Sequence, residues 1–526
     1  MISTKAYLPL RQKVNDRMTA INSDTPLDLP FLDRQEELQN LTRFYERSHS
    51  RGAGFLILYG RKGVGKTRLL QQFLAQQAIA DVFYWAAPPG DAAAQLQDFS
   101  QALARYTMGQ AASPLPDFRF TRWEKALKAV AQIAEGSPTT RLFILEGFTD
   151  LCHNEMGVSS VFQHTWDGRL QNIGNLRLIL SGTHISTMIR EVFAYSAPLY
   201  FRANAALHLK RLPYTTLLDL FPDRTPVERL AIFTITGGTP AYLRYFIQEP
   251  DPLTALEMLY FAPESSFLAD MAALFDERFE EPVLCRELLT AVAAGHGRPK
   301  SLSNQLGRPY EELQQHLVFL RLAKLIEEQP SVRHAIPNHR IRHELSDLSL
   351  YFYYRHVQPL LGQASQTDLS VLTYQSLSQG LGQFPFLTLC REWIWAAART
   401  RSLEMIPERT GVYWEDGAGT TEYPIAIVDT RRKNLLVGEI FWESDQLTPG
   451  GLQRILHNGA QLSLVHQDGW TVTPVVFGRS AFKTEIQQAA TGVRLVNLAE
   501  IEALLLTARR QLQEEQDNPS PVEIEF

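Results

Sequence analysis

A parallel α/β sheet, followed by a mostly helical middle and a second β-containing segment, is the architecture that the sequence predicts. Three observations carry it. An apolar run, Phe55-Leu56-Ile57-Leu58-Tyr59, reads as a buried strand and passes through a glycine-rich loop into residues 68–74, where apolar side chains fall at helical spacing. Residues 81–85, 141–146 and 176–183 read as three more strands with helical patterns between them, which is the βαβ arrangement of a parallel sheet. Far downstream, residues 411–414, 421–429 and 435–442 read as a β-hairpin preceded by a helix at 387–398.

The glycine-rich loop is the most specific signal. Gly60-Arg61-Lys62-Gly63-Val64-Gly65-Lys66-Thr67 fits the P-loop pattern G-x-x-x-x-G-K-[ST] at every fixed position, and Arg68 follows in the helix. Glycines let successive backbone N–H groups point at one spot, and the helix adds its positive N-terminal end. Lys66 then reaches the β- and γ-phosphates of a nucleotide, and the Thr67 hydroxyl holds Mg²⁺. A glycine turn that matches by chance is the bland alternative; the flanking strand and helix argue against it. The expected cofactors are ATP or ADP with Mg²⁺.

Composition narrows the rest. At 526 residues there is room for about three or four domains of ~100–200 residues. A hydrophobic content of 45% and a charged content of 21% are ordinary for a globular chain. The net charge of -6 argues against a surface coated for nucleic acid, while leaving room for a local basic face. Cys152, Cys285 and Cys390 lie far apart and form neither a disulfide framework nor a C-x-x-C pair, so a cytoplasmic location is expected. No apolar run approaches the ~18 residues of a membrane helix, and no membrane partner is expected.

Several stretches together resemble one family. Before the P-loop stands Phe31-Leu32-Asp33-Arg34-Gln35-Glu36-Glu37-Leu38, with Asp33 placed to cap a helix. Val161-Phe162-Gln163-His164-Thr165-Trp166-Asp167 precedes the fourth strand, and Ser181-Gly182-Thr183-His184 follows from it. Pro198-Leu199-Tyr200-Phe201-Arg202 and Thr236-Gly237-Gly238-Thr239-Pro240-Ala241 complete the set. In this order they resemble the archaeal-type ATPases of the STAND class, relatives of AAA+ proteins, over about residues 25–360. The resemblance implies that the box at residue 31 borders adenine and that Pro240 opens a helical lid near it. It implies that Thr183 or Ser181 reads the γ-phosphate, against the plainer reading of a strand-end turn cap. It implies a phosphate contact for Arg202, against an ordinary surface arginine, although Phe201 replaces the family's glycine. The third strand of such proteins ends in Asp-Glu, for Mg²⁺ and the attacking water. Here those positions are Glu146, which keeps a carboxylate for the metal, and Gly147, which cannot orient a nucleophile. Asp150, Glu155 and Asp167 are the candidate substitutes, with Asp150 first.

The same resemblance extends downstream. A helix at 284–294, a short helix at 301–306 capped by Ser301, a helix at 309–325 and a mixed stretch to residue 341 follow the order of a winged helix. Arg298, Lys300, Arg308, Arg333, Arg340 and Arg342 are its basic candidates for DNA, whereas Glu311 and Glu312 repel DNA from the would-be recognition helix. His334, His339 and His343 read as scattered histidines rather than a metal site. The C-terminal segment resembles PD-(D/E)XK nuclease-like domains, but Pro424 and Phe441 stand where an aspartate and a lysine belong. Glu439, with Glu392 and Glu422, is what remains, so nuclease activity is not expected.

The expected division is an arm at 1–30, a P-loop core with helical lid at 31–275 and a winged-helix domain at 276–360. A linker at 361–383, a restriction-endonuclease-like α/β domain at 384–508 and an acidic tail at 509–526 follow. The expected function is a nucleotide-gated switch with weak or absent hydrolysis, in which lid closure repositions the two downstream domains. DNA contact through the winged helix and a protein partner or self-association are the partners considered. The alternatives are a true ATPase that remodels DNA or protein, with Asp150 or a neighbouring subunit supplying the catalytic group, and a scaffold with structural nucleotide.

Overall fold

Alternation along the first strand decides how the central sheet is covered. In β1 (Gly54–Tyr59), Phe55 and Ile57 enter one apolar core while Leu56 and Leu58 enter another, so both faces are buried, as in parallel sheets. A computed structural model describes residues 29–517 except 80, 109–117, 250, 263–264, 275–280, 333–340, 362–365, 377–380, 416–420, 444–445 and 467–468. Residues 1–28 of the expected arm, Arg333, Arg340, His334 and His339 therefore lie outside the described residues.

The sheet has five parallel strands in the order β2-β3-β4-β1-β5, with β2 at Val82–Ala86, β3 at Arg141–Glu146, β4 at Leu176–Gly182 and β5 at Ala205–His208. The first four are those the sequence predicts. The fifth is only Ala-Ala-Leu-His, too short to stand out from a loop. Helices α1 (Gln35–Tyr45) and α2 (Lys66–Gln77) pack Leu38, Leu41, Leu69 and Phe73 against one face. Helices α3 (Ala92–Met108), α4 (Trp123–Glu135) and α5 (Phe148–Asn154) pack Phe99, Trp123 and Phe148 against the other. Arg34, not Asp33, precedes the first turn of α1. Asp33 sits at φ 51°, where its carboxylate accepts from Thr216 and pairs with Arg509, so it caps nothing.

The lid follows. Helix α6 (Pro226–Thr236) opens with a capping box in which Thr225 accepts from the Glu228 N–H and Glu228 accepts from the Thr225 N–H. Its stop is Gly237 at φ 59°, where a Cβ would lie 2.6 Å from the Asp347 carboxylate. Pro240 then starts α7 (Pro240–Gln248) at a position that needs no N–H.

The middle contains α8 (Pro282–Ala293), α9 (Pro299–Leu306) and α10 (Tyr310–Leu322), then an antiparallel pair of β6 (Ile326–Pro330) and β7 (Ile341–Leu345) and the short α11 (Leu348–Phe352). Ser301 does not cap the second of these helices. The helix starts two residues earlier on Pro299, and the Ser301 hydroxyl meets His296 Nδ1 at 2.9 Å. The expected linker contains a further helix, α12 (Gln366–Tyr374), whose Leu369 and Leu372 are buried.

The C-terminal sheet is mixed. Strands β8 (Arg409–Glu415), β9 (Thr421–Asp429) and β10 (Asn434–Phe441) are antiparallel neighbours, and β11 (Thr471–Gly478) and β12 (Arg494–Asn497) continue in parallel. Helices α13 (Gln383–Arg399) and α14 (Leu498–Asp517) bring Trp393, Ile501 and Leu505 into one apolar core that also contains Leu243 of the lid and Leu317 of the middle. Leu505 and Ala508 of α14 are buried in that core, and the helix continues through residues 509–517, where Glu514 and Glu515 are exposed. Arg509 is drawn in by Asp33 and Asp219, and Glu502 by Arg229.

Candidate nucleotide-binding site

The P-loop joins the C-terminal end of β1 to the N-terminus of α2, which Gly65 opens in the left-handed conformation at φ 98°. Lys66 is buried at 9% exposure, and its Nζ donates to the carbonyls of Gly60 at 2.8 Å and Arg61 at 3.0 Å. Burial strips water from the ammonium and lowers its pKa to about 8, against the opposing pull of Glu146, Asp150 and Asp270. The loop thus holds a lysine whose acceptors among the described residues are backbone carbonyls, a cradle suited to an anion.

Thr67 donates to Glu146 Oε1 at 3.1 Å, and the Tyr84 hydroxyl donates to Oε2 of the same carboxylate. Burial first, then the Glu146 contact, raises the Tyr84 phenol well above its ordinary range, so it stays a donor. Parallel pairing of β2 with β3 creates this contact, and nothing in the local sequence around Tyr84 signals it. A hydroxyl and a carboxylate at this spacing suit Mg²⁺ held partly by phosphate oxygens. Among the described residues no group of three or more His, Cys, Asp or Glu side chains could hold a metal without such help.

Gly147 stands directly after Glu146 at φ 74°, a conformation that suits glycine. A Cβ built there would lie 3.0 Å from the Ala87 Cβ and 3.3 Å from Asp150 Oδ2. The Asp150 carboxylate therefore fills the space beside the missing side chain, and it lies 3.3 Å from His184 Nε2. The backbone N–H groups of Thr183 and His184 both point to the Thr149 hydroxyl, at 3.2 and 3.4 Å. Ser181 is paired in register with Glu146.

The lid touches the loop. The Ala241 N–H, one residue after Pro240, donates to the Gly63 carbonyl at 3.2 Å, and Lys62 pairs with Asp270 at 3.1 Å, a carboxylate that also accepts from Tyr242 at 2.7 Å. Arg34 is buried and grips the Val64 carbonyl at 3.2 Å and that of Lys210 at 2.7 Å. A cavity of about 50 Å³ remains between Lys62, Thr183, His184, Tyr242 and Phe319 of α10.

Two predicted residues are placed elsewhere. Arg202 pairs with Asp167 at 3.1 Å and donates to the Tyr200 carbonyl, with no contact to the P-loop among the described residues. Arg68 projects to the Leu29 carbonyl, tying α2 to the segment ahead of α1.

The most informative contact was not legible in the motifs. The Arg61 guanidinium of the P-loop pairs with Asp347, and so does Arg211. Asp347 is 1% exposed and caps α11 by accepting from the Ser349 N–H at 2.8 Å and hydroxyl at 2.7 Å. Burial opposes its charge, but Arg211, Arg61 and Ser349 together hold it below the usual carboxylate range. A variable position of the P-loop is thereby joined to the segment that follows the β6–β7 pair.

Residues 30–158 match the family model of the AAA ATPase domain. That segment contains the P-loop, Glu146 and Asp150. Among curated proteins, the chain is 26% identical over 417 residues to an uncharacterized protein of Methanocaldococcus jannaschii, covering 78% of this chain and 88% of that protein. A second protein of the same organism, described as an uncharacterized ATP-binding protein, is 43% identical over 49 residues, 9% of this chain and 78% of that one. Among solved structures, the Walker-type ATPase of Pyrococcus abyssi superposes with a TM-score of 0.46 at 16% identity, over 62% of this chain and 99% of that chain. The ORC2 protein of Aeropyrum pernix gives 0.39 at 12% identity, over 68% and 98%. No helix among the described residues is long and apolar enough to cross a membrane.

Proposed function

We propose that the chain is an ATP-binding regulator in which the state of the P-loop is passed to the segment after the β6–β7 pair. The observation that carries this is the shared carboxylate of Asp347, held by Arg61 of the loop and by Arg211. When bound, a nucleoside triphosphate with Mg²⁺ supplies a dense negative charge at the loop. Lys66 reaches that charge by giving up the Gly60 and Arg61 carbonyls, so the backbone that carries Arg61 is part of the rearrangement. Thr67 and Glu146 are placed to share the metal, and Pro240 to bound the base side at the lid. Asp347 caps α11 and is fully buried, so it cannot lose one arginine without either keeping the other or moving. Two arrangements of one buried ion triad suffice for a switch.

Downstream, the order of three helices and an antiparallel pair supports the winged-helix reading, and the mixed sheet with Pro424 and Phe441 supports a nuclease-like frame without cleavage. Arg298 and Arg342 both donate to Glu422 of the C-terminal sheet, which favours a packing role for that face over DNA contact. A DNA-binding role predicts affinity that falls steeply with salt and weakens in Arg308→Ala.

The test is hydrogen exchange over residues 341–357 with and without ATP. The expected result is an ATP-dependent change in the wild type, its loss in Lys66→Ala, and its loss in Asp347→Asn with ATP binding retained. Unchanged exchange in a wild type that binds ATP would sink the switch.

Turnover is the second reading, and one observation favours it: the Asp150 carboxylate lies 3.3 Å from the Cβ position of Gly147 and beside His184. Asp150 is the residue we assign to orient a nucleophilic water, with His184 as its partner. Steady phosphate release that survives in Asp150→Asn rules this out.

A further inference from the structure

A cavity of about 600 Å³ opens between the helical middle and the C-terminal sheet, and no P-loop residue lines it. Its size is that of a small-molecule site. Three of its charges are paired, because Arg342 donates to Glu422 at 2.8 Å and Arg391 donates to Glu344. Two others are not. The Glu439 carboxylate on β10 makes no hydrogen bond or ion pair among the described residues, and burial raises its pKa against the weaker pull of Arg454. Arg355 is exposed at the wall and is likewise without a partner among the described residues. Opposite charges thus line one cavity without pairing with each other.

A third group is also unsatisfied. His343 is 2% exposed, and its Nε2 meets the Tyr310 hydroxyl at 3.0 Å, whereas its buried Nδ1 has no partner among the described residues. Burial lowers the pKa of this ring, so it offers a neutral polar atom. The remaining wall is apolar: Tyr351 and Phe384, with ring centroids 4.7 Å apart, stand beside Leu387 and Ile440. A buried polar atom without a hydrogen-bond partner is costly, so a ligand that supplies one relieves a penalty.

We propose that this cavity binds a small amphipathic zwitterion, with an ammonium group at Glu439, a carboxylate or phosphate at Arg355, and an apolar body along Tyr351 and Phe384. A free amino acid with an apolar side chain has this chemistry, and so does a small amino-phosphate. The ligand bridges β7 and α11 to the C-terminal sheet, so its binding stiffens that joint. The assignment is independent of nucleotide binding.

Calorimetric titration of the full chain tests it, using the standard amino acids one at a time, phosphoethanolamine, and the N-acetyl and amide derivatives of any probe that binds. Saturable one-site binding of a zwitterion is expected, at least tenfold weaker in Glu439→Gln and in Arg355→Met, abolished by N-acetylation, and retained in Lys66→Ala. A carboxylate probe that outbinds phosphoethanolamine identifies the amino acid as the source, and the reverse order identifies the phosphate. The proposal is overturned if no zwitterion binds at up to about 10 mM, a free energy of roughly −3 kcal/mol. Binding that both substitutions leave intact, or that N-acetylation leaves intact, overturns it equally; the last outcome requires no variant to fold.

Discussion

The P-loop sheet and the C-terminal sheet each have five strands, and they treat charge in opposite ways. At the ends of the first, Lys66, Thr67, Glu146 and Asp150 are brought to one place, and among the described residues the lysine donates to backbone carbonyls, which suits it to serve an anion. At the corresponding face of the second, Glu422 is consumed by Arg298 and Arg342, Pro424 has no charge, and Phe441 packs into an apolar cluster. Two five-stranded sheets thus differ in charge chemistry through a handful of side chains.

The largest effect that can break this comparison lies where the two sheets are fastened together. Arg229 of the lid donates to both oxygens of Glu502 on α14, at 3.0 and 2.6 Å, and Tyr214 donates to the same carboxylate at 2.5 Å. All three are buried, so Glu502→Ala leaves an uncompensated guanidinium and lowers unfolding stability by about 3–5 kcal/mol, measured by denaturant titration. An unchanged midpoint would mean that the two regions are stable separately.

Next in size is Lys66→Ala, which weakens ATP binding roughly 10- to 100-fold by calorimetry, the range for one or two charge-assisted bonds, while Glu439→Gln leaves ATP affinity unchanged. Proton linkage sharpens the same point. With its pKa lowered to about 8 by burial, Lys66 is charged below that pH and neutral above it. ATP affinity therefore holds up to about pH 8 and then falls toward tenfold per pH unit. The empty protein responds the other way. The unfolded lysine keeps its proton up to about 10.5, so folding gains stability as the pH rises from about 8 toward that value. An ATP affinity flat from pH 7 to 10 would remove Lys66 from the site.

The smallest effect concerns Gly147. Gly147→Ala costs about 1–2 kcal/mol, because a left-handed backbone must now carry a Cβ against Ala87. Restoring a family-like glutamate with Gly147→Glu meets the same backbone and yields no gain of turnover, measured by phosphate release.

Four strands of the first sheet were legible because each is dominated by apolar residues, and the loop is a fixed pattern, so residues 55–74 declare strand, turn and helix together. Glu146 and Asp150 were named from their place at and just after the end of the third strand, and the contact of Asp150 with the Gly147 position came only with the fold. Tyr84, Arg211 and Asp347 were not legible as site residues, since each acts through a partner remote in sequence and set by packing. Helix caps failed for a related reason. Asp33 and Ser301 are good capping residues, but Asp33 is claimed by Thr216 and Arg509, and Ser301 by His296. The end of α14 was read as a tail because the ion pairs of Glu502 and Arg509, which fasten the helix further back, join residues remote in sequence.

The pairing of Asp33 with Arg509 gives this molecule a particular order of assembly. A ribosome makes residue 33 long before residue 509, so the segment bordering the P-loop waits through the synthesis of the intervening chain for this partner. A chain cut short before α14 can build its central sheet yet lacks the clasp beside Asp33 and the Glu502 anchor on the lid. Completion of the nucleotide end is thereby postponed until α14 has been made, and a chain that stops before it has a lid without its Glu502 anchor.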